Sequence, residues 1–237
     1  MPADYALLVC SQKGGVGKTS VALNLAAALS SRGPVTLLDA DPLHCVGGCV
    51  NLTNLVHSSA DLTNLNGSWS KHALQSQPEL IVLVSPDGGV PNPESMRAAL
   101  ESITGGLAVI DSPPLADLGA RELLGAVSGT LIIEAVDPWC MRTLPLALEA
   151  LLNSRAAGHN FDFLGVLPVC MRGDADEPFQ AEFLRERFGE NIRPETLPYE
   201  PGLSAAQLEG KPLMQTMPKC AYMQALEQIA QGIIEQV

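Results

Sequence analysis

Basic residues are scarce in this sequence. The 237 residues hold 14 Lys and Arg against 26 Asp and Glu, for a formal charge of −12 and a pI near 4.6. Such a chain is repelled by nucleic-acid phosphates and by anionic lipid wherever its basic groups do not cluster. Long hydrophobic runs are also missing, since none reaches the roughly 20 residues that span a bilayer. The opening MPADYALLVC holds an acid and no base, unlike the start of a secretory signal. A cytoplasmic chain is expected. Repeats, low-complexity tracts and long linkers are absent, so residues 1–237 read as one domain. Charged residues make up 17% and hydrophobic residues 46%, which excludes disorder and suits a well-buried α/β protein. The six cysteines include no C-x-x-C pair. Cys45 and Cys49 stand four apart without a second close pair, too few ligands for a structural zinc site. Free thiols are expected, with a two-cysteine cluster shared between subunits as the alternative.

What is present is a series of short apolar, β-leaning runs. YALLVC (5–10) ends at a glycine-rich turn, a helix is expected from Thr19 to Ser31, and Arg32-Gly33-Pro34 stops it before VTLLDADP (35–42). Strand, loop, helix and strand in this length make a βαβ unit with parallel strands. Further strand-length runs are LIVLVSP (80–86), GLAVIDSPP (106–114), GTLIIEAVDP (129–138) and FLGVLPVC (163–170). Their lack of polar alternation fits strands covered on both faces. Helical segments are expected at Pro93–Ile103, Gly119–Ala126, Leu144–Ala156, Pro178–Phe188 and Ala221–Gln236. The expected fold is doubly wound α/β, a mostly parallel sheet flanked by helices. The stretch from Leu43 to Gln77, rich in Asn, Ser and Thr, suits a mobile surface region.

SQKGGVGKTS (11–20) occupies the place of a phosphate loop, after a buried strand and before a helix. The standard spacing G-x-x-x-x-G-K-[ST] is not met, because Gly14 and Gly17 are three apart. Counting back from Gly17 puts Gln12 first and Lys13 second, the deviant Walker A form K-G-G-x-G-K-[ST]-[ST]. Backbone N–H groups from Gly14 to Thr19 and the helix dipole favour anionic oxygens. Lys18 suits the β- and γ-phosphates and the Thr19 hydroxyl suits Mg²⁺. Asp39 and Asp41 close the second strand, and their two-residue spacing would aim both carboxylates at the loop. Asp111 ends another apolar run, as a Walker B acid that holds Mg²⁺ does.

KGGVGKTS, LLDADP and VIDSPP, in that order, closely resemble the ParA/MinD family of deviant Walker A ATPases. ETLPYEPGLSAAQLEGKPL (195–213) and the helix after it resemble that family's adenine-side loop and closing helices, so nearly the whole chain is covered. The resemblance implies a P-loop NTPase fold and slow ATP hydrolysis in a nucleotide-sandwich dimer that positions a cellular cargo. It implies that Gly14, Gly15, Val16, Gly17, Lys18, Thr19 and Ser20 bind the phosphates and that Pro198 lies at the adenine. It assigns Thr19, Asp39 and Asp111 to Mg²⁺ and Asp41 to the attacking water. Lys13 matches the lysine that reaches across the dimer to the partner's phosphates. An in-trans cation couples hydrolysis to assembly, as arginine fingers do. A small adaptor protein that stimulates hydrolysis is the implied partner.

The sequence departs from the family in several places. Tyr199 and Gly202, and then Glu227 and Gln228, stand where DNA-riding relatives carry basic residues. From Arg121 onward there are 9 basic and 16 acidic residues. Lys211, Lys219, Arg185, Arg187 and Arg193 would have to cluster in space to make a DNA patch. Non-specific DNA and nucleoid association therefore stay open but are disfavoured by charge. The tail ALEQIAQGIIEQV has helical apolar spacing but no Lys or Arg, which fits a packed helix better than a membrane anchor. Leu43 and His44 replace the small polar residues that follow DPQ in the family, so partner recognition should differ. Trp69, Trp139 and Met141 read as core or dimer contacts. Two other readings remain: an ATP-binding switch with negligible turnover, such as a helper of a membrane synthase or secretion apparatus, and an iron–sulfur carrier resting on Cys45 and Cys49 alone.

Overall fold

A computed structural model describes residues 3–54, 69–74, 77–85 and 89–236. Strand β1 (Tyr5–Cys10) is buried at every residue, and α1 (Lys18–Ser30) and β2 (Val35–Asp39) follow it. Next come α2 (Cys45–Cys49), β3 (Leu52–Asn54), β4 (Ser70–Leu74), β5 (Gln77–Val84) and α3 (Pro93–Glu101). The middle of the chain supplies β6 (Leu107–Asp111), α4 (Leu118–Glu122), β7 (Gly129–Ala135), α5 (Cys140–Ala156), β8 (Asp162–Val169) and α6 (Glu177–Phe188). Helices α7 (Gly202–Leu208), α8 (Leu213–Thr216) and α9 (Ala221–Gln236) complete it.

The strands form one eight-stranded sheet in the order β3-β4-β5-β2-β6-β1-β7-β8. The six strands from β5 to β8 in that order are parallel, while β3 and β4 add an antiparallel edge. The doubly wound, mostly parallel fold is therefore as the sequence leads one to expect. Alternate residues of each strand serve two cores. Leu7, Val9, Leu37, Val109 and Ile133 face α1 and α9, whereas Leu8, Leu38, Ile110 and Ile132 face α3, α5 and α6. A strand buried on both faces has no polar side to show, which explains the continuous apolar runs. Helix α1 is buried nearly all round, and its small residues Ala22, Ala26, Ala27 and Ala28 leave room for sheet and α9 alike.

Several boundaries differ from expectation. Helix α5 begins at Cys140 rather than Leu144, because Pro145, which suggests a helix start, lies inside it. Its first turn is held by Asp137, whose Oδ1 accepts the N–H groups of Trp139 and Cys140 at 2.8 and 3.0 Å. The stretch expected to be irregular and mobile contains α2, β3 and β4, and its residues 55–68 and 75–76 lie outside the described residues. The order in which the chain adds strands reverses at β1, which has β6 on one side and β7 on the other. Ligands of open α/β sheets bind at the carboxyl ends of strands around such a switch point. Asp39, Asp111 and the loop after β1 all lie at that end.

Candidate functional site

The loop from Ser11 to Gly17 joins β1 to α1. Gly15 and Gly17 have φ of 76° and 88°, the left-handed region that side chains with a Cβ resist, and Gly17 turns the chain directly into the helix. Val16 is buried, Ser11 Oγ donates to the Lys13 carbonyl at 2.7 Å, and Leu115 N–H donates to the Ser11 carbonyl at 2.8 Å. Helix α1 has no acid in its first turn to offset the positive end of its dipole. Lys18, in that first turn, is buried. A pre-set loop, a bare helix N-terminus and a buried ammonium together suit a polyanion.

The carboxylates stand close by. Asp39 and Asp111 are paired in register between β2 and β6, and both are fully buried. Thr19 Oγ1 donates to Asp111 Oδ2 at 2.7 Å, while the buried Asp111 Oδ1 has no hydrogen-bond partner. Burial pushes the Asp111 carboxyl up to about 7. The Thr19 hydroxyl and Lys18 pull it down, and the charges of Asp39 and Asp41 push it up. Burial likewise raises Asp39, to about 6, against the N–H groups of Val46 and Asp41 that bond its two oxygens. Asp39 thus also ties the start of α2 to the sheet.

Strand β2 ends at Asp39, so strand alternation is not what places Asp41. Its Oδ1 instead accepts the Leu43 N–H at 2.9 Å, in a turn completed by His44 with φ 48° and ψ 47°. His44 is the one non-glycine residue at positive φ among the described residues. Asp41 is nonetheless buried, and its charge acts on Asp111.

This donor set is hard oxygen: a hydroxyl, and a buried carboxylate with an orphaned atom that water does not reach. It fits Mg²⁺, which takes one or two carboxylates and fills its remaining positions with phosphate and water. Asp111 and Thr19 carry that fit, and Asp39 is partly committed to backbone. Cys45 and Cys49 are half-buried free thiols on α2. Among the described residues no group of three or more His, Cys, Asp or Glu is arranged to hold a metal ion.

Lys13 is held within its own chain. Its Nζ lies 2.7 Å from Asp137 Oδ2, with both side chains about three-quarters buried. Just before Asp137, Glu134 is fully buried in β7 and accepts the Thr143 hydroxyl at 2.8 Å. Neither acid was singled out in the sequence. Glu134 could have been found there, as a lone charge inside an apolar strand; Asp137, 124 residues from Lys13, could not.

A cavity of roughly 190 Å³ opens beside the loop, lined by Gly17, Ser20, Met171, Tyr199, Pro201 and Tyr222 among others. Pro198 is not part of the lining, although the three residues after it are. The Ser20 hydroxyl accepts a bond from Gln207 Nε2 at 2.9 Å, which ties α7 to α1. Gly14 sits against Pro114.

Of the five basic residues singled out for a DNA patch, three are paired, and Arg187 and Lys219 are exposed. Arg193 pairs with Glu195, Lys211 with Glu209 and Arg185 with Glu182, and Arg185 also donates to the Arg193 and Pro194 carbonyls. Helix α9 buries Leu226, Ile229, Ala230 and Ile233 in the core it shares with α1. No helix of the described residues is long and apolar enough to cross a membrane. Trp69 is a core residue, whereas Trp139 is exposed with Arg142 stacked on it.

Comparison with known proteins places the fold and the family. The chromosome-partitioning ATPase Soj of Thermus thermophilus is 28% identical over 241 residues, covering 98% of this chain and 96% of that one. The MinD cell division protein of Aquifex aeolicus has the same fold, with a TM-score of 0.74 at 20% identity over 98% of this chain and 97% of that one. An ATP complex of a McdA variant from Cyanothece gives 0.72 at 20% identity, over 98% and 95% of the two chains. Residues 7–213 match the CobQ/CobB/MinD/ParA nucleotide binding domain. The chain belongs to that nucleotide-binding family.

Proposed function

We propose that this single-domain protein binds ATP and Mg²⁺, closes into a nucleotide-sandwich homodimer and hydrolyses ATP slowly to position or segregate a cellular cargo. The observation that carries the reading is the Thr19–Asp111 bond beneath an orphaned, buried Asp111 oxygen, set beside a phosphate loop of deviant Walker A sequence. Backbone N–H groups from Gly14 to Ser20 hold the phosphates, Lys18 offsets their charge, and the cavity beside Gly17 takes the base. Asp111 and Thr19 hold the cation, with Asp39 behind them. A cation held by Asp111 and Thr19 would supply neutralisation of charge on the phosphates. Asp41 orients the attacking water. Lys13 of each subunit leaves Asp137 and reaches the other subunit's phosphates, so that hydrolysis waits on assembly. A small adaptor that stimulates turnover, and a cytoplasmic location, complete the proposal. The cargo is a plasmid or chromosome, or a protein assembly.

A second reading is favoured by one observation. Lys13 is already paired in its own chain. If it stays there, the protein is an ATP-binding switch with negligible turnover, of the kind that assists a membrane synthase or secretion apparatus. Lys13→Ala separates the two. Under the first reading the variant binds ATP as the parent does but loses hydrolysis by tenfold or more, an effect seen when transition-state cations are removed. Equal hydrolysis by parent and variant overturns the role of Lys13. No turnover by the parent in any condition, with ATP-induced dimerisation retained, establishes the switch.

A further inference from the structure

Glu134 stands in β7 among Ile132, Ile133 and Ala135, and no part of it reaches solvent. Its Oε1 accepts the Thr143 hydroxyl, but its Oε2 is buried without a partner. A buried carboxylate in that condition is costly unless a cation is near or a proton is taken up. The groups facing it can be named element by element. From the phosphate loop comes Lys13; from the start of α5 come Asp137, Cys140 and Thr143; its register neighbour on β8 is the uncharged Pro168. The Cys140 thiol is pushed up by burial and stays neutral. Lys13 is thus the cation that offsets two carboxylates at once, one bonded at 2.7 Å and one buried behind it.

We propose that Glu134 is a positioning residue for Lys13, holding its ammonium together with Asp137 and taking a proton from solvent when Lys13 leaves. The inference rests on the reading above, in which Lys13 crosses to the partner's phosphates. Burial already raises the Glu134 carboxyl to about 7, with the Thr143 hydroxyl and Lys13 pulling it down and Asp137 pushing it up. Departure of Lys13 removes one of the two downward pulls, so the carboxyl binds its proton more tightly in the dimer than in the monomer. Assembly therefore consumes protons. Above about pH 7 the dimerisation constant falls by about tenfold per pH unit for each proton taken up, and by up to about a hundredfold when both subunits take one.

Sedimentation of the full chain with a non-hydrolysable ATP analogue, from pH 6.5 to 8.5, tests this. The parent's dimerisation constant should fall across the range, while Glu134→Gln, which imitates the protonated acid, should show a much flatter profile. The same slope in both proteins overturns the inference and leaves the proposed function standing. No nucleotide-dependent dimer of the parent at any pH overturns the proposed function. A second measurement needs neither assembly nor the Glu134 variant. In protein labelled with ¹³C-glutamate, the Glu134 carboxyl should titrate at higher pH in Lys13→Ala than in the parent. An unmoved midpoint overturns the holding role by itself.

Discussion

Asp39 and Asp111 are side-by-side partners in register at the carboxyl ends of β2 and β6, and neither is exposed to solvent. Two carboxylates so placed disfavour each other's ionised form, and burial disfavours both. Lys18 is the counter-charge within the chain that acts on Asp111. The pair is therefore neutralised either by protons or, in the proposed function, by a cation from outside.

Stability should report this directly. With Asp39 raised to about 6 and Asp111 to about 7, the folded chain keeps protons that the unfolded chain has released near pH 4. Stability is fully present below the unfolded values and is lost as pH rises through 6 and 7. The loss is on the order of a few kcal/mol. A melting temperature lower at pH 8 than at pH 5 by several degrees is expected without divalent cations. Millimolar Mg²⁺ with nucleotide should recover most of it, and EDTA should reverse the recovery. Asp111→Asn should melt higher than the parent at pH 8 without metal and gain little from Mg²⁺. A parent whose melting temperature is flat from pH 5 to 8 contradicts the account.

The parts of this site legible in the sequence are those encoded by neighbours in the chain. Gly15, Gly17, Lys18 and Thr19 lie in one stretch, and Asp111 closes an apolar run, so local spacing is enough to find them. Strand alternation holds only while the strand lasts, and β2 ends two residues before Asp41. Asp137 meets Lys13 through the fold, and periodicity carries no information about a pairing of that range. The sheet shows the same division. Strands buried on both faces announce themselves by composition, whereas the short antiparallel β3 and half-exposed β4 do not.

Glu177 holds the loop that follows β8. Its Oε1 accepts the N–H groups of Met171 and Arg172 at 2.6 and 3.0 Å, and its Oε2 those of Gly173 and Asp174 at 2.7 and 3.1 Å. The carboxylate is buried, and Met171 lines the cavity beside Gly17. Glu177→Ala leaves four donors without their acceptor, though the loop is exposed enough for water to replace part of it. A cost of about 2–3 kcal/mol is expected, seen as a melting temperature lower by roughly 5–10 °C. Glu177→Gln should fall between variant and parent. Nucleotide affinity, measured by calorimetry, should weaken several-fold in the alanine variant if the cavity takes the base as proposed, because the wall beside Gly17 loses its support. Unchanged affinity in a destabilised variant would separate this loop from the nucleotide.

The last prediction concerns DNA, which a relationship to chromosome-partitioning ATPases brings to mind and which the charge of this chain opposes. Binding to non-specific duplex needs several Lys or Arg free to displace counterions from phosphates. Here Arg193 is nearly buried in its pair with Glu195, Arg185 is spent on Glu182 and loop carbonyls, and Lys211 is matched by Glu209, which leaves Arg187 and Lys219 as the exposed candidates. The net charge of −12 adds a long-range repulsion that is strongest at low salt. In the presence of ATP, affinity for a random duplex should remain weak at about 50 mM salt. A plot of log affinity against log salt should have a slope shallower than about −2, corresponding to no more than two or three phosphates neutralised. A slope of about −4 or steeper would mean that a basic surface is assembled in the dimer, and would return DNA to the centre of the function. A shallow slope would instead favour, within the proposed function, a cargo reached through a protein adaptor.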